Sequence, residues 1–202
     1  AEYGEKLFYR KDAEETIKNI SISYLYKDIL AFQNIKNSEI LDRLLQLLAL
    51  QLGQEVSYSE LAQNLSVDKN TVASYVQILE KAFIVFRLPP FSRNIRNELK
   101  KMRKIYFYDN GIRNALINNF NMPELRNDIG GLWENFMIGE RMKYNQQRAV
   151  TYNKYFWRTH AKQEIDYLEE YGGKIQAFEF KWKKNTCSAP KTFMETYKNS
   201  SF

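Results

Sequence analysis

Three stretches of helical apolar spacing follow one another between residues 38 and 82, and they constrain the fold more than any other feature. The first begins at Ser38 and ends before Gly53, a natural C-cap. Ser57-Tyr-Ser-Glu60 has capping-box spacing and predicts a short second helix. After a turn at Ser66-Val-Asp68, the third helix runs from Lys69 to about Ala82. Three helices with a tight turn between the last two predict a helix-turn-helix.

Two β-forming runs come after the third helix. Phe83-Ile-Val-Phe-Arg-Leu88 stops at a Pro-Pro pair, and Ile105-Tyr-Phe-Tyr108 ends at Asp109-Asn-Gly111. Two strands in this place predict a wing. Residues 37–118, including a short helix from 112, are therefore interpreted as a winged helix-turn-helix.

The second half begins with a helix and continues with β-rich sequence. After Gly130-Gly131 the helix runs from Leu132 to about Tyr144, and its apolar residues lie on more than one face, which predicts burial. The three β-rich stretches are Val150–Arg158, Glu164–Glu169 and Ile175–Trp182. The predicted fold class is α/β (α+β), with the winged helix first and an α/β domain over residues 119–202 second. Residues 1–36 are expected to be a helical lead-in.

The scarcity of cysteine and histidine restricts the chemistry that the chain can perform. Cys187 and His160 are the only residues of their kinds, which excludes an internal disulfide and a zinc site built from cysteines or several histidines. We interpret both residues as incidental and expect a cytoplasmic protein. Any metal site would rest on carboxylates, which bind hard ions such as Mg²⁺ or Mn²⁺. No apolar run approaches the roughly 20 residues of a membrane span, so no membrane partner is expected.

Polar and basic residues lie where a winged helix contacts nucleic acid. The N-terminal part of the recognition helix reads base edges, and basic side chains on a wing neutralise phosphates. DNA is the expected partner, with RNA as a second choice. The alternative is a module that only connects domains or docks protein. The candidate nucleic-acid contacts are Lys69, Asn70, Thr71, Ser74, Gln77, Arg93, Arg96, Lys100, Lys101, Arg103 and Lys104.

Three acids and a lysine in the second half form a candidate catalytic set. Glu179 and Lys181 are two residues apart on a predicted strand, so they share a face. Asp166 lies on the neighbouring strand, and Glu134 lies near the start of the preceding helix. The three carboxylates are candidate ligands of Mg²⁺ or Mn²⁺, and the lysine would orient a water or offset transition-state charge. A cross-strand ion pair without catalysis is the structural alternative.

These same residues resemble a known group of enzymes. Glu134, Asp166 and Glu179-x-Lys181 look like the helix-Glu, Asp and (D/E)xK elements of the PD-(D/E)xK nuclease superfamily, with Ile165 in place of the motif's Pro. A narrower resemblance covers roughly residues 20–185 and points to the C-terminal region of bacterial and archaeal AAA-type ATPases. It is carried by Tyr26-Lys-Asp28, Gln54–Leu88, Lys104–Gly111 and Gly131–Phe136.

The resemblance implies a restriction-endonuclease-like second domain and a P-loop ATPase that precedes the winged helix. The chain has no Gly-x-x-x-x-Gly-Lys-Ser/Thr loop, so ATP would bind only in that missing N-terminal part. Residues 1–36 would then be its linker or tail, and homo-oligomers would form through it. Two functions stay open. One is a nucleic-acid-associated fragment with metal-dependent phosphodiester hydrolysis, and the other is a non-catalytic scaffold that docks DNA or protein.

Overall fold

Helices and strands are interspersed along the chain in a mixed α and β fold. The computed structural model describes residues 10–24, 37–91, 103–159, 161–183 and 187–202. Within them the helices are α1 (Arg10–Tyr24), α2 (Ser38–Leu50), α3 (Tyr58–Leu65), α4 (Lys69–Lys81), α5 (Asn110–Leu116), α6 (Ile129–Gln147) and α7 (Lys191–Thr196). The strands are β1 (Glu55–Val56), β2 (Val85–Leu88), β3 (Arg103–Phe107), β4 (Asn153–Arg158), β5 (Glu164–Tyr171), β6 (Lys174–Phe178) and β7 (Ser200–Ser201).

Side-chain caps begin the three helices that the sequence predicted, and those helices are confirmed. Asn37 accepts a hydrogen bond from the backbone N–H of Ile40 at the start of α2, and Ser57 accepts one from Glu60 at the start of α3. Asp68 caps α4 by accepting from Asn70 and Thr71. Gly53 does not cap α2, which ends two residues earlier with Gln51 at the cap. Gly53 lies in the following turn with φ +73°.

The segment after β3 is held to α2 by buried polar contacts. Asp109 caps α5 by accepting the N–H of Ile112 at 2.8 Å. The guanidinium of Arg113 is only 2% exposed, and its Nε donates to the carbonyl of Ala49 at 2.8 Å. This carbonyl lies in the last turn of α2, where a helix lacks its own donors. The Tyr-Asp-Asn-Gly run at 108–111 therefore has a structural use.

The first sheet has the strand order β1-β3-β2. β1 pairs antiparallel with β3, so that Glu55 lies opposite Lys104. The strands predicted at 83–88 and 105–108 occur as β2 and β3 with shifted bounds. Phe83 is not in a strand because it has φ +56° and ends the turn after α4, where Ile84 N–H bonds to Leu79. β1 was not predicted, since two residues show no period.

The second sheet has the order β4-β5-β6-β7. β4, β5 and β6 are antiparallel neighbours, and β7 runs parallel to β6 after the crossover helix α7. One face packs into a core with α7. This core contains Trp157, Ile165, Leu168, Ile175, Ala177 and Phe193.

The chain divides into two compact units that differ from the predicted domain boundary between residues 118 and 119. The first contains the described residues within Ala1–Gln51, Ser57–Phe86 and Phe107–Arg126. The second contains those within Leu52–Val56, Arg87–Tyr106 and Asn127–Phe202. The difference arises because Lys104 and Tyr106 on β3 both bond to Glu134 on α6, which binds that strand segment to the second unit.

Candidate functional site

A β-bulge in β5 lies at Asp166 and Tyr167. Tyr155 lies opposite Leu168 and Trp157 lies opposite Ile165, so these two β5 residues share the single partner position of Phe156. Ile165 and Leu168 both face the α7 core, although residues three positions apart on a regular strand face opposite ways. The bulge absorbs the extra residue between them, and Asp166, which follows the inward Ile165, faces away from that core.

Asp166 is a buried carboxylate with few compensating contacts. It is 6% exposed, and its Oδ2 accepts the backbone N–H of Phe180 at 2.8 Å. Burial, then the charges of Glu134 and Glu179, raise the pKa of Asp166 from 3.8 to about 7, against the opposing effects of that hydrogen bond and of Lys104. These effects place the three predicted carboxylates near one another.

The bond from Phe180 also corrects the predicted strand Ile175–Trp182. β6 ends at Phe178, because the backbone N–H of Phe180 donates to the Asp166 side chain instead of to the β5 backbone. Glu179 and Lys181 therefore lie just beyond the strand. They still lie on one side, since Lys181 Nζ is in direct contact with Glu179 Oε1. Lys181 is about half exposed, whereas Glu179 is largely covered.

Glu134 is bound by two donors from β3. Lys104 Nζ lies 3.1 Å from Glu134 Oε1, and the hydroxyl of Tyr106 donates to the same oxygen. Burial and the neighbouring charge of Glu134 raise the pKa of Tyr106 well above its ordinary value, so the phenol is a neutral donor. Glu134 approaches from the helix as predicted, but its Oε1 is already bound by protein groups.

Lys104 is the cation at the centre of this cluster. Its side chain is 2% exposed and contacts Glu164 as well as Glu134. Burial works against its charge, but Glu134 and Glu164 outweigh burial and raise the pKa of Lys104. The ammonium that was predicted to contact nucleic acid is thus covered and lies between two carboxylates.

Arg158 extends the cluster toward solvent. Its guanidinium lies 3.2 Å from Glu55 Oε2 and 3.7 Å from Glu164 Oε2. Sequence reasoning missed Lys104, Tyr106 and Glu164 as members of the site. The one available signal was the alternation of Lys104 and Tyr106, which puts both on one face of a strand.

The described residues hold no group of three or more His, Cys, Asp or Glu side chains that could together bind a metal ion. This finding agrees with the contacts above, in which Glu134 is bound by Lys104 and Tyr106. Asp166 and Glu179 then remain as candidates for a metal site with two carboxylate ligands. His160 lies outside the described residues.

Helix α4, the predicted recognition helix, presents a polar stripe to solvent. Lys69, Asn70, Ser74 and Gln77 are exposed on α4. Thr71 differs, because its hydroxyl and its backbone N–H both bond to Asp68 at the helix cap. Arg103 is partly buried at the start of β3. The wing candidates Arg93, Arg96, Lys100 and Lys101 lie outside the described residues.

Two family patterns match the chain. Residues 6–123 match a family described as "Domain of unknown function (DUF8612)", which covers more than half of the chain. The chain belongs to the DUF8612 family. Residues 129–201 match a second domain of unknown function, DUF4143, which is often found in the C-terminal regions of AAA ATPases. The DUF4143 match contains Glu134, Asp166, Glu179 and Lys181, but not Lys104 and Tyr106 of β3.

Relatives occur in bacteria and archaea. An uncharacterized protein of Mycobacterium tuberculosis is 30% identical over 131 residues, which are 64% of this chain and 29% of that protein. One of Methanocaldococcus jannaschii is 34% identical over 46% of the chain and 20% of its own length. One of Haemophilus influenzae is 27% identical over 52% and 27%. The match spans less than a third of each relative. No solved structure matches.

No described helix combines the length and the hydropathy of a membrane span.

Replacement of Lys104 tests whether this cation balances the cluster. Lys104→Met should lower the free energy of unfolding by about 3–5 kcal/mol, because it leaves Glu134 and Glu164 without their partner. Urea denaturation gives the value. The double variant Lys104→Met with Glu134→Gln should recover part of the loss. Additive losses would contradict a direct pairing.

The pKa of Asp166 predicts a pH-dependent stability. Between about pH 4 and pH 7 the folded chain keeps a proton that the unfolded chain releases, so stability falls as the pH rises through this window. Asp166→Asn removes this effect and keeps an acceptor for Phe180. The variant should exceed the parent by at least about 1 kcal/mol at pH 8, with little difference near pH 4. Urea denaturation across this range measures it.

The exposed Glu195→Gln is a control that should show no such trend. A gap between Asp166→Asn and the parent that is equal at pH 4 and pH 8 would assign the effect to packing instead of ionisation.

Proposed function

We propose that this chain is the C-terminal part of an AAA-type ATPase that acts on DNA, with a winged helix-turn-helix at 37–118 followed by a nuclease-like domain. The DUF4143 match supports the link to AAA ATPases, because that domain is often found in their C-terminal regions. The length of the relatives also supports it, because each has room for an ATPase domain beyond the matched part.

The order of elements supports the winged-helix part of the proposal. α2, α3 and α4 are followed by the two strands β2 and β3, with β1 completing a three-stranded sheet. The turn between α3 and α4 is tight, and the polar face of α4 is exposed. An exposed polar recognition helix is what contact with base edges requires. The basic residues Arg93, Arg96, Lys100 and Lys101 lie in sequence between the strands β2 and β3.

One observation carries the hydrolytic part: Asp166 is buried next to the negative charges of Glu134 and Glu179. A buried carboxylate beside two others destabilises the folded chain, and arrangements with that cost cluster at functional sites. The exposed Lys181 lies beside Glu179, so a cationic group is available at the open side of the cluster.

The residues fit a metal ion held by two carboxylate ligands better than one held by three. Mg²⁺ is commonly held by one or two carboxylates, with waters and substrate phosphate completing its shell. Asp166 and Glu179 would hold it, whereas Glu134 would hold Lys104 in place. A bound Mg²⁺ would polarise the phosphodiester and acidify a water.

The chain's own groups have separate roles in this proposal. Lys181 would leave its contact with Glu179 and stabilise the negative charge that develops on the phosphate. Tyr106 and Lys104 position Glu134 and keep the cluster from excess negative charge. Asp166, with a pKa of about 7, loses its proton readily when a cation arrives.

The second candidate is a scaffold without catalysis. The ion pairs of Glu134 and Glu179 favour it, because lysines already neutralise both carboxylates. In that case the second unit would only dock DNA or protein.

A cleavage assay separates the two candidates. With Mg²⁺ or Mn²⁺ the chain should cut labelled DNA, and Asp166→Asn, Glu179→Gln or Lys181→Met should each lower the rate by at least about 100-fold. The matched control Glu195→Gln, at an exposed acid on α7, should cut normally. Equal rates for all variants, or no cutting of DNA or RNA by the parent, would favour the scaffold.

The winged helix should bind DNA through phosphate contacts of its basic run. Replacing Arg93, Arg96, Lys100 and Lys101 together with Ala should weaken binding. The slope of log affinity against log salt should also shrink by about 0.9 per lost phosphate contact. Fluorescence anisotropy on duplex DNA at several salt concentrations measures both. A control removes the same charge at the exposed residues Lys143, Lys162, Lys174 and Lys198. An equal effect of both variants would mean nonspecific attraction.

A further inference from the structure

Three aromatic side chains form a cluster on the surface of the second unit. Trp133 stacks on Phe136 with ring centroids 5.9 Å apart, and Trp182 meets Trp133 edge to face at 5.5 Å. Phe136 is 48% exposed and Trp182 is 45% exposed. We call Trp133, Phe136 and Trp182 the aromatic platform. The rings are fixed against one another while much of their surface stays open to solvent.

The platform adjoins the carboxylate cluster through the backbone at two places. Trp133 precedes Glu134 on α6, and Trp182 follows Lys181. Both sides of Trp182 are lysines, and Lys181 and Lys183 are exposed. Lys181 also contacts Glu179, so Lys183 supplies the excess positive charge beside the rings.

We propose that the aromatic platform stacks an unpaired base of a single-stranded nucleic acid whose backbone contacts Lys181 and Lys183. This inference rests on the proposed function and specifies its substrate class. Aromatic faces next to lysines match the two parts of a nucleotide, since every base has a π-face and every linkage a negative phosphate. A duplex keeps its bases stacked internally, so an unpaired strand fits this surface better.

Charge favours nucleic acid over an apolar protein segment. An apolar partner would gain from the rings but would cover the ammonium of Lys183 without neutralising it, which costs free energy. A strand of nucleic acid satisfies both groups at once. The position of Lys181 between Glu179 and Trp182 would place the phosphate of the stacked nucleotide at the edge of the carboxylate cluster.

The tryptophans allow a direct test. The chain has three, of which Trp157 is 5% exposed and the other two belong to the platform. None lies in residues 37–118, so quenching of tryptophan fluorescence reports on the second unit. Titration with hexathymidylate in EDTA, where no metal-dependent cutting occurs, should quench this fluorescence. A six-unit abasic oligonucleotide with the same phosphates should quench little.

Anisotropy of labelled oligonucleotides then gives affinities for the full chain. The parent should bind hexathymidylate at least about fivefold more tightly than the abasic strand. This ratio should fall toward one in Trp182→Ala and in Phe136→Ala. Trp182→Phe, which keeps an aromatic face, should retain most of it. Tyr171→Ala removes a more exposed ring at the end of β5 and should leave the ratio unchanged.

A parent ratio of one would overturn the proposal, as would a lack of binding or a ratio that survives Trp182→Ala and Phe136→Ala. If only Trp182→Phe folds, the fluorescence titrations still decide, because abasic and normal strands are compared on the parent chain. Failure of hydrolysis is a separate result. If the chain binds hexathymidylate more tightly than the abasic strand but cuts no DNA or RNA, only the catalytic proposal is contradicted. If the chain cuts DNA but binds the normal and abasic strands equally, only the stacking proposal is contradicted.

Discussion

The ammonium of Lys104, enclosed by Glu134 and Glu164, is the interaction on which the second unit depends. A cation that is 2% exposed is tolerated only when opposite charges surround it, and the same holds for the carboxylates. The pairing connects a strand, β3, to a helix, α6, and to the strand β5. It therefore fixes the position of Glu134 in the site. Asp166 is left as the carboxylate whose charge is least offset by neighbouring groups.

The carboxylates and Lys104 act together. Asp166 lies close enough to Glu134 and Glu179 for their charges to raise its pKa, and Lys104 limits the repulsion that results. A second buried network on β5 shows the contrast. Glu169 is 1% exposed, but Arg141 binds both of its oxygens and Asn145 donates to one of them. Glu169 is thus a satisfied structural acid, whereas Asp166 is not.

Sequence patterns predicted the regular parts of this fold. Helix caps and apolar spacing are local, so the cap at Ser57 and the helix starts at Ser38 and Lys69 could be predicted, whereas the caps at Asn37 and Asp68 were found only in the structure. Strand alternation correctly put Glu179 and Lys181 on one side. It could not show that the strand stops at Phe178, because that end depends on a bond from Phe180 to a residue fourteen positions away.

The burial of Lys104 also escaped prediction for a physical reason. In sequence it is one cation among several after residue 92, and its two partners lie 30 and 60 positions further along the chain. Charge counts cannot distinguish a lysine that meets solvent from one that meets a buried carboxylate. The order of the motifs predicted which acids come together, but not which of them a lysine would neutralise.

The bulge makes the site sensitive to the number of residues as well as to their identity. Ile165 and Leu168 reach the same core only because one extra residue is absorbed between them. Loss of a single residue between them would remove Asp166 or Tyr167 and restore a regular ladder in which Ile165 and Leu168 still face the core. A deletion here would therefore leave the core side of the sheet intact and change only the face that carries Asp166.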